Sequence, residues 1–380
     1  MAEQLRNTNA ETVYIDFGKS SIRIAQQKVK HRGNLQIVWV TDWIESIPLL
    51  GLGQFDYVSS TGVLHHLKDP QSGLNVLNSI QTATGGALLS LYSKYGRTGV
   101  YQIQDLLSSI STRSTSLKTE LNDARVILTI LQENHWFHVI KFADTRTFGD
   151  SGIYDLLLHK RDVCYTMFEL GSLISNSGYH FIDLSAPDYR LKTSLLFIMK
   201  DLEMLNFLRN ASIIKQRGIG ELIYGRTFLP EFYISKIKHS EASLQDKDNV
   251  IYPHGNTKGI PHIVTRKNNY KTIGNRNFTF AKLSRTSGKE LGSLLWPFSD
   301  FNHFILYHLT KLPIHPRSTN ELIIEFNNWS KRNVTIEIGK QMIDELFSYI
   351  KEAGILFVKN KNIPIFPLTC CFNLYSVSNI

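Results

Sequence analysis

Apolar positions in the first hundred residues switch between a period of two and a period near 3.6. "ETVYIDF" (11–17) reads as a buried strand that ends on an acid, and Ile22, Ile24, Ala25 and Val29 are spaced as one face of a helix over 19–31. "LQIVWV" (35–40) gives a second strand closed by Thr41-Asp42, and "FDYVSS" (55–60) a third. A helix over 71–82 follows, then Gly85-Gly86, then the strand "ALLSLY" (87–92). Strands separated by helices imply parallel crossovers, hence an α/β sheet covered on both faces. Helical spacing continues over 99–111 and 117–135. "YTMFELGSLISNSGYHFIDLS" (165–185) reads as a helix, a Gly178 cap and a strand.

These patterns place an α/β domain over residues 1–190 and a helical extension over 191–235. A basic linker or loop region with short strands is expected over 236–279, where Gly, Pro and Asn interrupt every pattern. Residues 280–380 carry helix patterns at 299–311, 318–328 and 337–353 and then the strand-like "ILFVKN" (355–360). That order suits a small helical, winged-helix-like domain, with Phe304, Ile305 and Leu306 and then Met342, Ile343, Leu346 and Phe347 as its buried faces.

Composition adds limits. Of 380 residues, 42% are hydrophobic and 20% charged, as in ordinary globular proteins. No apolar run is long enough to span a bilayer and the N-terminus is polar, so no membrane contact is expected. Three cysteines give neither a disulfide framework nor a CxxC spacing, which fits the cytoplasm. The net charge of +9 admits a nucleic-acid partner. Basic residues such as Lys236, Lys258, Arg266 and Arg276 are scattered through the loop region, however, and form no helical stripe.

The chemistry sits at the strand ends. In an open parallel sheet, ligands bind beyond the carboxyl ends of the strands. Those ends carry Asp16, Asp42, the run Ser59-Ser60-Thr61-Gly62, and Tyr92. One strand-end carboxylate can take both hydroxyls of a ribose, and the next can accept from an exocyclic amine, which suits an adenosine. Asp16 could instead cap the following helix, and Asp42 could open a turn. The adjacent His65 and His66 would point apart in an extended strand end, which is poor geometry for one metal, and no metal is expected.

Taken together, "VYIDFGKSSIRIAQ", "WVTDWI", "VLHHLKDP" and Gly85-Gly86 stand in the order and spacing of a class I S-adenosylmethionine-dependent methyltransferase, which residues 11–101 resemble. The resemblance implies a Rossmann-like sheet, S-adenosylmethionine as cofactor, and methyl transfer to an acceptor that the sequence does not name. It implies Asp16 at the ribose, Asp42 with Trp43 near the adenine, and Thr61, Gly62 and Val63 beside the methionine end. His65, His66, Tyr92, Tyr95, Arg97 and Tyr101 would face the acceptor, Arg97 holding an anion. For the two histidines, the residues themselves favour a structural role, anchoring the turn through hydrogen bonds. Asp155, His159, Arg161 and Asp162 in "YDLLLHKRDVCYT" (154–166) would form either a lid over the acceptor or a charged connector.

One part of the pattern is missing. The family's first strand, with a glycine-rich loop after it, lies between the second and fourth strands, and no such segment precedes Asp16. The chain is therefore expected to be truncated at its N-terminus and impaired in cofactor binding. The strand at 12–17 is expected to close directly on the strand at 55–60, because an open slot would strand buried backbone groups. A catalytically inactive interaction protein with this fold and a basic nucleic-acid-binding protein are the alternative functions.

Overall fold

The computed structural model describes residues 9–33, 36–110, 116–139, 149–159, 161–185, 201–238, 249–253, 270–273, 276–284, 290–297, 299–310, 317–350 and 356–360, with a few single residues between them. The first helix, α1, spans Lys19–His31, the limits that its periodicity predicts. Lys28, Lys30 and His31 in its last turn favour the negative end of the helix dipole. It joins β1 (Val13–Ile15) to β2 (Val38–Val40), and these two strands pair in parallel.

A second sheet has four strands. β3 (Phe55–Thr61) lies parallel to β4 (Gln81–Ser90), with α2 (Pro70–Ser79) as the crossover between them. Asp69 caps α2 by accepting from the Gln71 amide at 3.0 Å, and Pro70 fills the first helical position, where no N–H is needed. β4 starts six residues before the strand that the sequence indicates. Phe55 faces Gln81 and Tyr57 faces Gly86, so the residues between bulge out and Gly85-Gly86 lies inside the strand. The short β5 (Tyr92–Ser93) continues the chain and pairs with β6 (Cys164–Tyr165).

β8 (Glu231–Ser235) runs antiparallel between β4 and β7 (His180–Leu184), giving the order β3-β4-β8-β7. The sheet thus extends to Ser235, past the expected limit of residue 190, and takes in the end of the stretch read as a helical extension. That stretch does contain helices, at Leu202–Arg209 and Ile213–Tyr224. One core joins the sheet to its helices, including Leu64, Leu74, Leu89, Leu170, Ile174 and Phe232, and Ile15 of β1 packs against it.

β1 and β3 do not pair, contrary to the expected closure. Among the described residues no strand lies against the second edge of either. The expectation assumed that these edges are buried. β1 is only half-buried throughout, and most of β3 is exposed or half-buried, with Tyr57 43% exposed. Water can satisfy their backbone groups, so the penalty for a missing partner is small.

The C-terminal region has its own core around helices Asp300–Thr310, Thr319–Ser330 and Ile336–Ile350. Phe304, Ile305, Leu306, Ile343, Leu346 and Phe347 are buried there. Its limits differ from the expected start at 280, because β9 (Asn249–Pro253) pairs with β13 (Leu356–Asn360) and Ile251 belongs to the same core. A three-stranded antiparallel sheet of β10 (Tyr270–Ile273), β11 (Arg276–Ser284) and β12 (Glu290–Pro297) fills much of the rest. Residues 254–269, in the middle of the expected basic linker, lie outside the described residues. Among the described residues no helix is long and apolar enough to cross a membrane.

Candidate functional site

The carboxyl ends of β1, β2 and β3 carry the residues that the sequence singles out. Asp16 follows β1, and its Oδ1 accepts from the Gly18 amide at 2.7 Å. It is therefore not the cap of α1: Gly18 occupies that position, with no side-chain cap. Asp42 follows β2 and accepts from the Trp43 amide at 2.8 Å, which opens a 3-10 turn over Ile44–Leu49. Both carboxylates are held by short local bonds, a pattern that fixes direction while leaving other lone pairs available.

Each acid is followed by an aromatic residue, and these two rings meet. Phe17 and Trp43 stack with centroids 4.7 Å apart and planes 5° from parallel. They do so in the open, at 65% and 58% exposure. Sequence reasoning picked Trp43 and missed Phe17. The signal was available in the repeated Asp-aromatic ending of two neighbouring strands, "YIDF" and "VTDW".

After β3 the chain turns at Gly62, whose φ of +76° is a left-handed conformation that glycine accepts without strain. Its amide donates to Ser90 Oγ at 2.9 Å, tying the turn to the end of β4. A Cβ built on Gly62 would meet nothing within 4 Å, so the glycine serves the backbone conformation and the space beside it is open. Thr61 and Val63, on either side, are exposed.

The histidines depart from the extended geometry expected of them. Leu64–His66 form a 3-10 turn, and the two rings meet edge to face at 4.3 Å. His65 is wholly buried and stacks on Tyr92 at 3.6 Å. Neither of its ring nitrogens makes a hydrogen bond of normal geometry. Burial first, then the charges of His66, Arg97 and His159, push its pKa down to about 3, with the Ser90 backbone opposing weakly. His66 is the one that reaches the surface, its Nδ1 2.9 Å from the Arg161 carbonyl. Among the described residues no group of three or more His, Cys, Asp or Glu side chains is placed to hold a metal.

Of the cluster expected to face an acceptor, only Tyr95 is exposed. Tyr92, Arg97 and Tyr101 are turned inward, which corrects their assignment. The Arg97 guanidinium lies 3.6 Å from the Tyr92 ring centroid. Because His65 lies equally close to that ring, the two must cover opposite faces. Arg97 is fully buried and pairs with the almost fully buried Asp162. Asp162 also accepts from Tyr101 Oη at 2.9 Å and from Gln104 Nε2 at 3.2 Å. The guanidinium thus meets Asp162 and Tyr101 through Nη2 and Nε, while its Nη1 is buried without a hydrogen-bond partner. Burial and the neighbouring carboxylate and thiol push the Tyr101 hydroxyl pKa well up, so it remains a donor.

The segment after Tyr154 is thereby fastened to the β3 turn. Val163 N donates to the His65 carbonyl at 3.1 Å, and Asp162 and Arg161 hold Arg97 and His66 as described. These bonds fix the segment beside the turn, and they do not decide between the lid and the charged connector.

The burial of His65 has a consequence for stability. Its folded pKa lies below the unfolded value of 6.5, so the folded state binds fewer protons, and stability present above pH 6.5 is lost as the pH falls towards 3. The slope approaches about 1.4 kcal/mol per pH unit within that window. His65→Phe keeps a ring against Tyr92 and removes the titration. Thermal melts between pH 7 and pH 4 are expected to fall less steeply for this variant; parallel curves would show that His65 is not the group responsible.

Residues 1–87 match the family model described as "Methyltransferase domain". A relative from Synechococcus sp., an uncharacterized protein, is 25% identical over an alignment of 257 residues that covers 65% of this chain and 59% of that relative's length. PKMT2 from Rickettsia typhi in complex with AdoHcy superposes with a TM-score of 0.60 at 13% identity, over 96% of this chain and 69% of that one. A second PKMT2 structure gives 0.58 at 14% identity, over 93% and 67%. Residues 1–87 thus resemble the methyltransferase domain, and the likeness along the chain shows the fold that it shares with these neighbours, a Rossmann-like methyltransferase fold with a helical C-terminal region.

Proposed function

We propose that the chain binds S-adenosylmethionine across the carboxyl ends of β1, β2 and β3 and transfers its methyl group to an acceptor beside the β3 turn. The observation that carries this reading is the joint placement of Asp16 and Asp42 at the ends of adjacent parallel strands, with Phe17 and Trp43 stacked beyond them. Asp16 takes the ribose hydroxyls. The adenine takes the Trp43 face, with Asp42 towards its exocyclic amine. Thr61, Gly62 and Val63 lie along the methionine end, where the space beside Gly62 is open. Methyl transfer from a sulfonium is an in-line displacement in which the cofactor carries the reactive group, so the protein's task is mainly to position two partners.

Among the described residues no strand lies between β1 and β3. A single parallel strand between them would join the two sheets in the order β2-β1-strand-β3-β4-β8-β7. A glycine-rich turn after that strand would bring backbone N–H groups to the methionine end. The residues assigned here to direct contacts, Asp16, Asp42 and Trp43, all meet the adenosine, so that half is expected to carry most of the affinity.

The stacked aromatic pair supplies the test. An adenine that takes the Trp43 face must displace Phe17 or enter between the rings, and base–aromatic stacking is worth about 1–3 kcal/mol by alanine substitution. Titration with S-adenosylhomocysteine is expected to change the tryptophan fluorescence of the wild type, and the change is expected to vanish in Trp43→Leu. The same signal in the variant would place the adenine elsewhere.

A further inference from the structure

We propose that His66 is the proton acceptor for the group that attacks the methyl donor, its ring locked by the Arg161 carbonyl so that Nε2 carries the lone pair. The proposal rests on the methyl-transfer reading above. Its ground is the tautomer. Nδ1 lies 2.9 Å from a carbonyl oxygen, which can only accept, so Nδ1 carries the hydrogen and Nε2 is bare. The same carbonyl lies 2.6 Å from His159 Nδ1, and the two imidazole rings are 4.1 Å apart, so the ring is held from two sides.

The surroundings fit the role. His66 follows the Gly62 turn by four residues, at the end of the 3-10 turn Leu64–His66, and its side chain is 20% exposed. Asp155 Oδ1 stands 4.0 Å from Nε2, too far to hydrogen-bond a neutral ring and close enough to favour an imidazolium once formed. The groups facing the ring are His65 from its own turn, His159 and Asp155 from the segment after Gly149, Asp162 further along, and Tyr92 edge-on at 5.7 Å. Burial outweighs the rest and lowers the His66 pKa, so at neutral pH the ring is unprotonated and ready to accept. The buried His65 can do none of this.

The step balances without a further reactant. The acceptor heteroatom forms a bond to the methyl carbon as the carbon–sulfur bond breaks, and that electron pair remains on sulfur as the thioether of S-adenosylhomocysteine. The acceptor's proton passes to His66 Nε2, and the imidazolium releases it to solvent.

The test has two arms on the full chain. In the first, 15N spectra of ring-labelled histidine, assigned with His66→Asn, are expected to show an Nδ1–H tautomer for His66 that titrates below pH 6.5; an Nε2–H tautomer or a higher titration overturns the proposal. His66→Asn keeps an N–H near the position of Nδ1 and removes the basic nitrogen. In the second arm, labelled methyl transfer from saturating S-adenosylmethionine to a simple phenol is followed against pH. The variant is expected to lose roughly 10²–10⁴-fold in rate, together with the acidic limb of the profile, while its affinity for S-adenosylhomocysteine stays within about twofold, because the base acts on the acceptor and not on the cofactor. An equal rate in both proteins overturns the assignment. Loss of S-adenosylhomocysteine binding by the wild type is the separate result that would remove the cofactor reading while leaving the tautomer standing.

Discussion

Asp162→Ala is expected to destabilise the chain by about 3–5 kcal/mol, the usual cost of leaving one member of a buried ion pair uncompensated. Arg97 has no exposure at all, and Asp162 meets its charge. Once the carboxylate is gone, the guanidinium remains enclosed between Tyr92, Tyr101 and Phe228 without its counter-charge. Tyr101 and Gln104 lose an acceptor in the same step. The double variant Arg97→Met with Asp162→Leu removes both charges and is expected to recover most of the loss, because a buried pair replaced by apolar groups of similar volume is often neutral. Chemical denaturation of the three proteins measures this. A loss under about 1 kcal/mol for the single variant would mean that the pair is hydrated in solution.

Asp16→Ala is expected to weaken S-adenosylhomocysteine binding by roughly 10- to 150-fold, the equivalent of about 1.5–3 kcal/mol for hydrogen bonds to a charged group. Asp69→Ala is the matched control. It removes the cap of α2, at about 1 kcal/mol of stability, and makes no cofactor contact on this account. Equal loss of affinity in both variants would show that the Asp16 assignment is wrong.

Much of this arrangement was legible in the sequence, and the reason is local. The helices at 19–31, 167–176 and 319–330 carry their own periodicity and stop signals. Gly178, with φ of +74°, ends its helix where the pattern says a glycine must. The strand-end acids and the Gly62 turn were visible because each is defined by what directly precedes it. The errors concern pairing across long separations. β8 enters the sheet from residues 231–235, and nothing in "EFYIS" tells a central strand from an edge strand. Arg97 finds Asp162 65 residues away, so its exposure and its role could not be read from its neighbours. β1 does not close on β3 because both strands are largely half-buried or exposed, and burial of a strand depends on the whole fold. Phe17 is the instructive omission, since its pattern was present twice and was read only once.

The central claim is that this domain holds S-adenosylmethionine at the carboxyl ends of β1 to β3, with the adenosine half carrying the affinity. Calorimetric titration of the 380-residue chain with adenosine and with S-adenosylhomocysteine tests it most directly. The account predicts weak, saturable binding of both, with dissociation constants within about fivefold of each other, a difference of about 1 kcal/mol. Tight stoichiometric binding of S-adenosylhomocysteine alongside much weaker binding of adenosine would contradict it, because the methionine end would then carry the affinity; no binding of either ligand would contradict the site itself.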